Sequence, residues 1–168
     1  MVNVSLRPWA SGDLSLLQRG NTVEMTKYLA GPETDEQVHA RHEKYLRLWR
    51  EETARTFAVL ADGERVGAMG WWTTTYDDEE VHEAGWFVVP EAQGHGIARA
   101  ALALIVDDAR THRTARLLTA FPEQHNIASN ALCATAGFTL HGTRVLPFRG
   151  QVLNTNAWVL QLDDLTAH

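Results

Sequence analysis

The sequence contains a single cysteine among 168 residues, and its eight histidines are scattered along the chain. One cysteine cannot form a disulfide within the chain, and no group of cysteines and histidines has the spacing of a zinc site. The sequence therefore favours a reducing compartment, which we expect to be the cytoplasm, and it predicts no bound metal.

Positive charge and long apolar runs are also scarce. The chain has 15 Lys and Arg against 21 Asp and Glu, a net charge of −6, and it lacks the positive field that attracts a phosphate backbone. The longest apolar-rich stretch, 98–106, contains Arg99 and is far shorter than the ~20 residues of a membrane-spanning helix. We expect neither nucleic acid nor membrane as a partner, and one globular domain over residues 1–168.

Hydrophobic periodicity predicts the element order β-α-α-β-β-β-α-β-α-β-β. One strand–helix–strand crossover among otherwise antiparallel strands indicates an α/β (α+β) fold, with a mixed, mostly antiparallel central sheet. Asp13 is a candidate N-cap, Thr34 and Gln37 have capping-box form, and the acidic run 77–80 is interpreted as a loop. The strands are predicted at 2–7, 56–60, 66–74, 83–89, 115–120, 139–145 and 152–160, and the helices at 14–18, 34–51, from Gly96 onward and at 127–136.

A glycine-containing turn separates the strand that ends at Val89 from the helix that follows Gly96. Glycines at positions 94 and 96 allow the backbone to approach a ligand closely, and the first-turn amides of a helix bind anions. No Gly-Lys-Ser/Thr follows, so this is not a Walker loop, and Arg99 occupies the place of the third glycine in a dinucleotide fingerprint. The predicted occupant is a phosphate or a pyrophosphate.

Three segments carry a resemblance to a known family. The segment 89–98, with the sequence VPEAQGHGIA, resembles the Gln/Arg-x-x-Gly-x-Gly/Ala signature of the GNAT N-acetyltransferase superfamily. Residues 126–132 followed by 136–138 are similar to its second acetyl-CoA segment, and 6–14 resembles its opening strand and turn. The pair Asn126 and Ser129 is closest in pattern to the branch of ribosomal-protein N-terminal acetyltransferases.

The resemblance implies a GNAT-like sheet with helices on both faces, acetyl-CoA as the acyl donor and an amine as the acceptor. It implies that backbone amides from Gly94 to Arg99 bind the pyrophosphate. It further implies that the backbone of Phe87 and Val88 pairs with the pantetheine arm, which Asn126 meets from the other side. The residues predicted to bind acetyl-CoA are Phe87, Val88, Val89, Gln93, Gly94, His95, Gly96, Ile97, Ala98, Arg99 and Asn126.

Acetyl transfer to an amine requires a neutral nitrogen, and an alkylammonium has a pKa near ~10, so a base is useful. Glu83, at the start of a strand, is the candidate base and matches the family's position for it; an ordinary surface ion pair is the alternative. Side chains alternate along a strand, so His82 points to the opposite face, and only one of Trp71 and Trp72 faces the core.

The proton donor for the departing thiolate has three candidates. Many family members place a tyrosine seven residues after the matched asparagine, and here that position is Cys133. Ser129 is the favoured group near the sulfur because it is similar to the serine of the ribosomal-protein branch. Cys133 itself and a water molecule stay open, since Cys133 also fits a small buried helix residue.

The predicted function is transfer of the acetyl group of acetyl-CoA to a primary amine by direct attack in a ternary complex. The alternative is a catalytically inactive acetyl-CoA-binding sensor or assembly subunit, prompted by the missing tyrosine. The acceptor is either a protein N-terminus or a small-molecule amine, which acidic residues such as Glu33 can attract. A homodimer that uses Phe148 and Trp158 of the final strand pair is a further expectation.

Overall fold

A computed structural model describes residues 1–163, so the last residues of the predicted 1–168 domain lie outside it. Its seven strands form one sheet with the order β1-β2-β3-β4-β5-β7-β6. The strands are β1 (Val4–Pro8), β2 (Ala54–Ala61), β3 (Glu64–Tyr76), β4 (Glu79–Val88), β5 (Leu117–Ala120), β6 (Thr139–Phe148) and β7 (Gln151–Gln161). The helices are α1 (Leu14–Gly20), α2 (Asp35–Arg50), α3 (Ile97–His112) and α4 (Ile127–Thr135). The predicted element order is confirmed, and the pair β4 and β5 is parallel while the other neighbouring strands are antiparallel.

The helices cover both faces of the sheet, as expected for this fold. On one face, Leu16 and Leu17 of α1 and Val38 of α2 pack with Ala58 and Ala68. On the other face the larger core joins α3 and α4 to the sheet, and it includes Met69, Trp71, Ala84, Leu102 and Ile105. Within residues 1–163 no helix has the length and apolarity required to cross a membrane.

Local sequence signals set several of these boundaries. Thr34 accepts a hydrogen bond from the amide of Gln37, whose side chain accepts from the amide of Thr34, so the predicted capping box starts α2. Gly137 ends α4 with φ of 93°, a conformation that glycine adopts without the steric cost of a Cβ. Asp13 precedes α1 but does not cap it: its carboxylate binds Arg7, Arg65 and the amide of Ala10. Asp13 thus stands at the predicted N-cap position of α1, but its side chain makes no cap hydrogen bond because two arginines from the sheet bind it.

The acidic run 77–80 is not all loop. Asp77 and Asp78 alone form the turn between β3 and β4, with φ of 54° and 63°, and aspartate tolerates this left-handed region better than most residues do. Glu79 and Glu80 are the first residues of β4 and pair with the end of β3. Because Glu79 and Glu80 are both charged and exposed, this part of β4 lacks the alternation of apolar and polar residues that would predict a strand.

The short contact between β4 and β5 opens the sheet. Only His82 and Glu83 of β4 pair with β5, opposite Leu118 and Thr119. After Ala120 the chain leaves the sheet toward α4, whereas β4 continues to Val88. In the part of the chain that the structure describes, 84–88 thus has a strand partner on the β3 side alone, and a gap lies on its other side.

Candidate active site

The backbone of β4 presents alternate residues to this gap. The carbonyl of His82 accepts a hydrogen bond from Oγ1 of Thr119 at 2.8 Å, and the carbonyl of Val88 accepts one from Nε2 of Gln93 at 2.8 Å. Both carbonyls point away from β3. Since backbone groups alternate along a strand, Trp86 and Val88 direct their amides and carbonyls into the gap.

The prediction that the backbone of Phe87 pairs with the pantetheine arm was therefore wrong. Val89, two residues after Phe87, donates its amide to the carbonyl of Val66 at 2.8 Å. The backbone groups of the odd-numbered residues of this segment, Phe87 included, therefore point toward β3 and not into the gap. The carbonyl of Phe87 likewise lies against Gly67 of β3. Trp86 takes the place of Phe87 at the gap.

The glycine turn forms an open cradle before α3. Gly94 and Gly96 have φ of 80° and 76°, and a Cβ added at either position would meet no atom within 4 Å. Ile97 is buried and fixes the first turn of α3 in the core, while Arg99 is exposed and makes no ion pair within residues 1–163. First-turn amides have no intrahelical partner, so the cradle offers free donors and the positive end of the helix dipole.

His95 belongs to this cradle through its backbone. Its ring nitrogen Nδ1 lies 3.4 Å from the carbonyl of Ala92, and the residue is exposed. Gln93 turns its amide onto Val88 rather than toward the glycines. The predicted cofactor-binding positions from Gln93 to Arg99 thus lie together around one turn, next to the open edge of β4.

Helix α4 lies on the other side of the gap. Asn126 caps it, since its Oδ1 accepts from the amide of Ser129 at 3.2 Å. The hydroxyl of Ser129 accepts a hydrogen bond from the indole Nε1 of Trp86 at 3.3 Å. This bond joins β4 to α4 across the gap, and sequence reasoning missed Trp86, although its spacing of two from Val88 is a strand signal.

Cys133 lies on α4 but is fully buried in the larger core. Burial raises the pKa of its thiol to about 12. A thiolate is therefore scarce at neutral pH, which disfavours Cys133 as a nucleophile. As a proton donor it would be a weaker acid than an ordinary thiol, whose pKa is ~8.5, and its burial keeps it away from the gap.

Glu83 occupies the apex of the gap, at the last residue pair of β4 and β5. Burial raises the pKa of its carboxyl, against the lowering effects of the charge of Arg144 and a hydrogen bond from Trp72. Trp72 pairs with Glu83 across β3 and β4, while Trp71 points into the core on the other face. The alternation predicted for the two tryptophans is confirmed.

His82 points to the face opposite Glu83, as predicted. It is buried, and its Nε2 accepts from the amides of Thr114 and Ala115 at 3.0 and 3.1 Å. The Nδ1 atom is 3.3 Å from the hydroxyl of Thr73, so Nδ1 carries the proton and His82 is a structural residue.

The acidic residue Glu33, expected to attract a cationic acceptor, already has partners. Glu33 is nearly buried and binds both Arg41 and Arg149. Trp158, expected at a dimer surface, donates its Nε1 to Asn130 of α4 at 2.8 Å and so packs within the chain. No cluster of three or more potential metal ligands occurs among the described residues.

Comparisons with known proteins agree with this geometry. The family described as "Acetyltransferase (GNAT) domain" matches residues 3–139. An acetyl transferase from Salmonella typhimurium that modifies the N-terminal serine of ribosomal protein L7/L12 superimposes with a TM-score of 0.77 at 17% identity, covering 95% of each chain. A putative acetyltransferase from Salmonella typhimurium with its cofactor acetyl-CoA has a TM-score of 0.76 at 22% identity, covering 98% of this chain and 96% of that one. Spermidine N-acetyltransferase from Vibrio cholerae has a TM-score of 0.76 at 21% identity, covering 95% of each chain. No curated protein sequence matches the chain significantly.

Proposed function

The chain belongs to the GNAT acetyltransferase family, and we propose that it transfers the acetyl group of acetyl-CoA to a primary amine by direct attack in a ternary complex. The observation that supports this most is the open edge of β4, which runs from the glycine cradle to the half-buried side chain of Glu83. Five strand residues span about 17 Å. An extended arm that contains amides can pair with such an edge in the manner of an added strand.

Backbone amides and carbonyls make most of the contacts to acetyl-CoA. The amides from Gly94 to Arg99 hold the pyrophosphate at the start of α3, and the backbone groups of Trp86 and Val88 orient the pantetheine arm. Gln93 shares the carbonyl of Val88, so its side chain moves when the arm bonds there. Asn126 borders the arm from the α4 side. Bound in this way, acetyl-CoA supplies an activated thioester at the apex of the gap.

Two side chains handle the protons. Glu83 takes the proton of the acceptor ammonium, directly or through a water molecule. Burial brings its pKa closer to that of the amine and makes the transfer easier. Ser129 donates its hydroxyl proton as a hydrogen bond to the departing sulfur, while the indole of Trp86 fixes the oxygen. A covalent acetyl-cysteine is disfavoured because burial raises the pKa of the Cys133 thiol to about 12.

The acceptor is a protein N-terminus or a small-molecule amine. The neighbours of similar fold include an enzyme that modifies an N-terminal serine and one that acts on spermidine. Both acceptors expose an amine at the end of a flexible chain, which suits attack from the face on which Glu83 lies.

A panel of N-terminal peptides, polyamines, aminoglycosides and free amino acids, assayed with acetyl-CoA for CoA release, tests the proposal. Glu83→Gln should lower kcat/KM about 100-fold or more and still show a thermal shift with acetyl-CoA. The control Glu79→Gln removes an exposed carboxylate from the same strand and should stay within about twofold of the wild type.

The other outcomes have equally definite meanings. Unchanged turnover of Glu83→Gln at every pH removes Glu83 from the mechanism. A thermal shift with acetyl-CoA but no turnover across the panel favours the catalytically inactive sensor or assembly subunit. The absence of any shift contradicts the binding of acetyl-CoA itself, since a tight ligand must raise the melting temperature.

A further inference from the structure

The guanidinium of Arg144 in β6 lies against two aromatic rings that also contact each other. Its guanidinium carbon lies 4.3 Å from the ring centroid of Phe121 and 5.7 Å from that of Tyr76, and the two rings are 5.3 Å apart. A cation–π contact of this kind restrains a guanidinium while its N–H donors remain able to form hydrogen bonds.

The register of the sheet places Arg144 on the face of Glu83. Arg144 pairs with Thr155 across β6 and β7, and Val159, four positions along β7, pairs with Thr119 of β5. Thr119 in turn pairs with Glu83. Paired residues share a face, as do residues separated by two or four positions, so all five side chains lie on the same side of the sheet.

The electrostatics agree with this placement. The charge of Arg144 lowers the pKa of Glu83, against the effect of burial. The two side chains thus interact through space without forming an ion pair, and a molecule that presents its amine to Glu83 meets Arg144 on the same face of the sheet.

Most of the hydrogen-bonding capacity of Arg144 is free. Within residues 1–163 it donates one hydrogen bond, from Nη2 to the carbonyl of Thr75 at 3.3 Å, and it forms no ion pair. Other arginines near the sheet are neutralised: Arg55 makes two hydrogen bonds of 2.7 Å to Asp108, and Arg149 binds Glu33. A guanidinium has five N–H donors, and its edge matches a carboxylate or a phosphate in bidentate geometry.

On the basis of the proposed function, we propose that Arg144 selects acceptors that carry an anionic group, above all a carboxylate, in the same molecule as the reacting amine. Contact with Phe121 and Tyr76 restrains the cation before the acceptor binds, which reduces the entropy lost on binding. The same cation repels a polyamine. The second ammonium of such an acceptor approaches the positive charge of Arg144, which no carboxylate neutralises in an ion pair within residues 1–163.

Matched acceptors test this selection. L-Leucine and L-phenylalanine are compared with L-leucinol and L-phenylalaninol, which keep the amine and the side chain but lack the carboxylate. A comparison of O-phosphoethanolamine with ethanolamine measures the effect of a phosphate group, and spermidine measures the effect of additional positive charge. We expect kcat/KM for the amino acids to exceed that for the amino alcohols about tenfold or more, through KM, and spermidine to be poorer than either. A larger preference in the phosphate pair than in the carboxylate pairs overturns the carboxylate assignment.

Variants of Arg144 supply the matched control. Arg144→Gln should abolish the preference by raising KM for the amino acids, and Arg144→Lys, which keeps the charge, should restore part of it. Arg47→Gln removes an exposed arginine of α2 and should retain the full preference. Equal losses for all acceptors in Arg144→Gln, or a wild-type preference for amino alcohols or spermidine, overturn the inference.

Product binding separates this inference from the proposed function. N-Acetyl-L-leucine and N-acetyl-L-leucinol are titrated calorimetrically into protein saturated with CoA, which needs no turnover. Tighter binding of the carboxylate by the wild type, lost in Arg144→Gln, supports the inference, and equal affinities overturn it. A failure to bind acetyl-CoA or CoA would instead contradict the proposed function.

Discussion

The indole of Trp86 donates a hydrogen bond to the hydroxyl of Ser129, with 3.3 Å between Nε1 and Oγ. The bond joins the open edge of β4 to the first turn of α4, on the two sides of the gap. Because the serine oxygen accepts from Trp86 and its amide is bound to Asn126, the hydroxyl proton stays free to point into the gap.

Ser129→Ala should lower kcat while leaving the KM for acetyl-CoA nearly unchanged, because the hydrogen bond to sulfur strengthens as the thiolate forms. A hydrogen bond to a charged group contributes about 1.5–3 kcal/mol, which corresponds to a loss of roughly 10- to 100-fold. Trp86→Phe should cost less, about two- to tenfold, because it only releases the serine oxygen. Steady-state rates at saturating substrates measure both effects. Thr135→Ala, at the exposed end of α4, is the control, and a Ser129→Ala enzyme with the kcat of that control excludes Ser129.

The pH dependence of kcat/KM should report the ionisation of Glu83. Burial raises the pKa of this carboxyl, and a base acts only when deprotonated, so activity should fall with decreasing pH at values above the usual range of glutamate. Arg144→Gln removes the charge that lowers this pKa, and the acidic limb should move further upward. Glu83→Gln should have no such limb. A limb at the same pH in wild type and Arg144→Gln contradicts the coupling of the two side chains.

The same ionisation should reduce stability. The folded state binds the proton of Glu83 more tightly than the unfolded state does, so stability falls as the pH rises above the unfolded pKa near ~4.3. Glu83→Gln should therefore melt at a higher temperature than the wild type at pH 8, and the difference should shrink toward pH 4. Thermal melts across this range measure it. A variant that is less stable than the wild type at pH 8 contradicts the burial of a charged carboxylate.

An alanine in the glycine cradle should leave the fold intact but weaken the binding of acetyl-CoA. Gly96→Ala places a Cβ in open space at φ of 76°, at a conformational cost of about 1–2 kcal/mol. The Cβ obstructs the approach of a phosphate, so the Kd for acetyl-CoA should rise about tenfold or more. Gly63→Ala is matched, since Gly63 has φ of 84° and equally open space in the turn between β2 and β3. We expect both variants to lose a similar amount of melting temperature, and only Gly96→Ala to bind acetyl-CoA more weakly. Equal affinities of the two variants for acetyl-CoA contradict the cradle.

His82 should make the fold sensitive to mild acid. Burial lowers the pKa of His82, more than the charge of Glu80 raises it. The unfolded chain thus binds more protons than the folded chain between the two pKa values, and stability should decline as the pH falls below ~6.5. Protonation removes the acceptor of two amides, those of Thr114 and Ala115. His82→Gln should have a lower melting temperature at pH 8 and a flatter decline toward pH 5. His141→Gln, at an exposed position, should follow the wild type, and an unaltered decline in His82→Gln contradicts this origin.

Features that depend on neighbouring residues could be predicted well from the sequence. The capping box of Thr34 and the end of α4 at Gly137 use atoms within a few residues of each other. Alternation along a strand also placed His82 and Glu83 on opposite faces. The same rule, applied with the wrong parity, selected Phe87 for the gap when Trp86 is the residue that faces it. Nothing local sets that parity, because it depends on which edge of β4 binds β3.

Features that depend on distant partners could not be predicted. Asp13 has the spacing of a helix cap, but Arg7 and Arg65 bind it from two strands. Arg144 lies 61 positions after Glu83 in the sequence, and only the combined register of β4, β5, β7 and β6 brings them to one face. The family resemblance covers the cofactor segments, where backbone conformation repeats. The acceptor side is formed by side chains that no motif records.

The sheet is divided by its short parallel contact into a four-stranded block, β1 to β4, and a three-stranded block, β5 to β7. The direct strand pairing between the blocks consists of two residue pairs, so a ligand that bonds to β4 and touches α4 adds to the few bonds, such as that of Trp86 to Ser129, that cross the gap. Occupancy of the gap should then stiffen the junction of the two blocks, and Glu83 and Arg144 lie in different blocks. If the proposed function holds, donor binding should fix the separation of the two charges that the acceptor meets, and we expect the donor to bind before the acceptor.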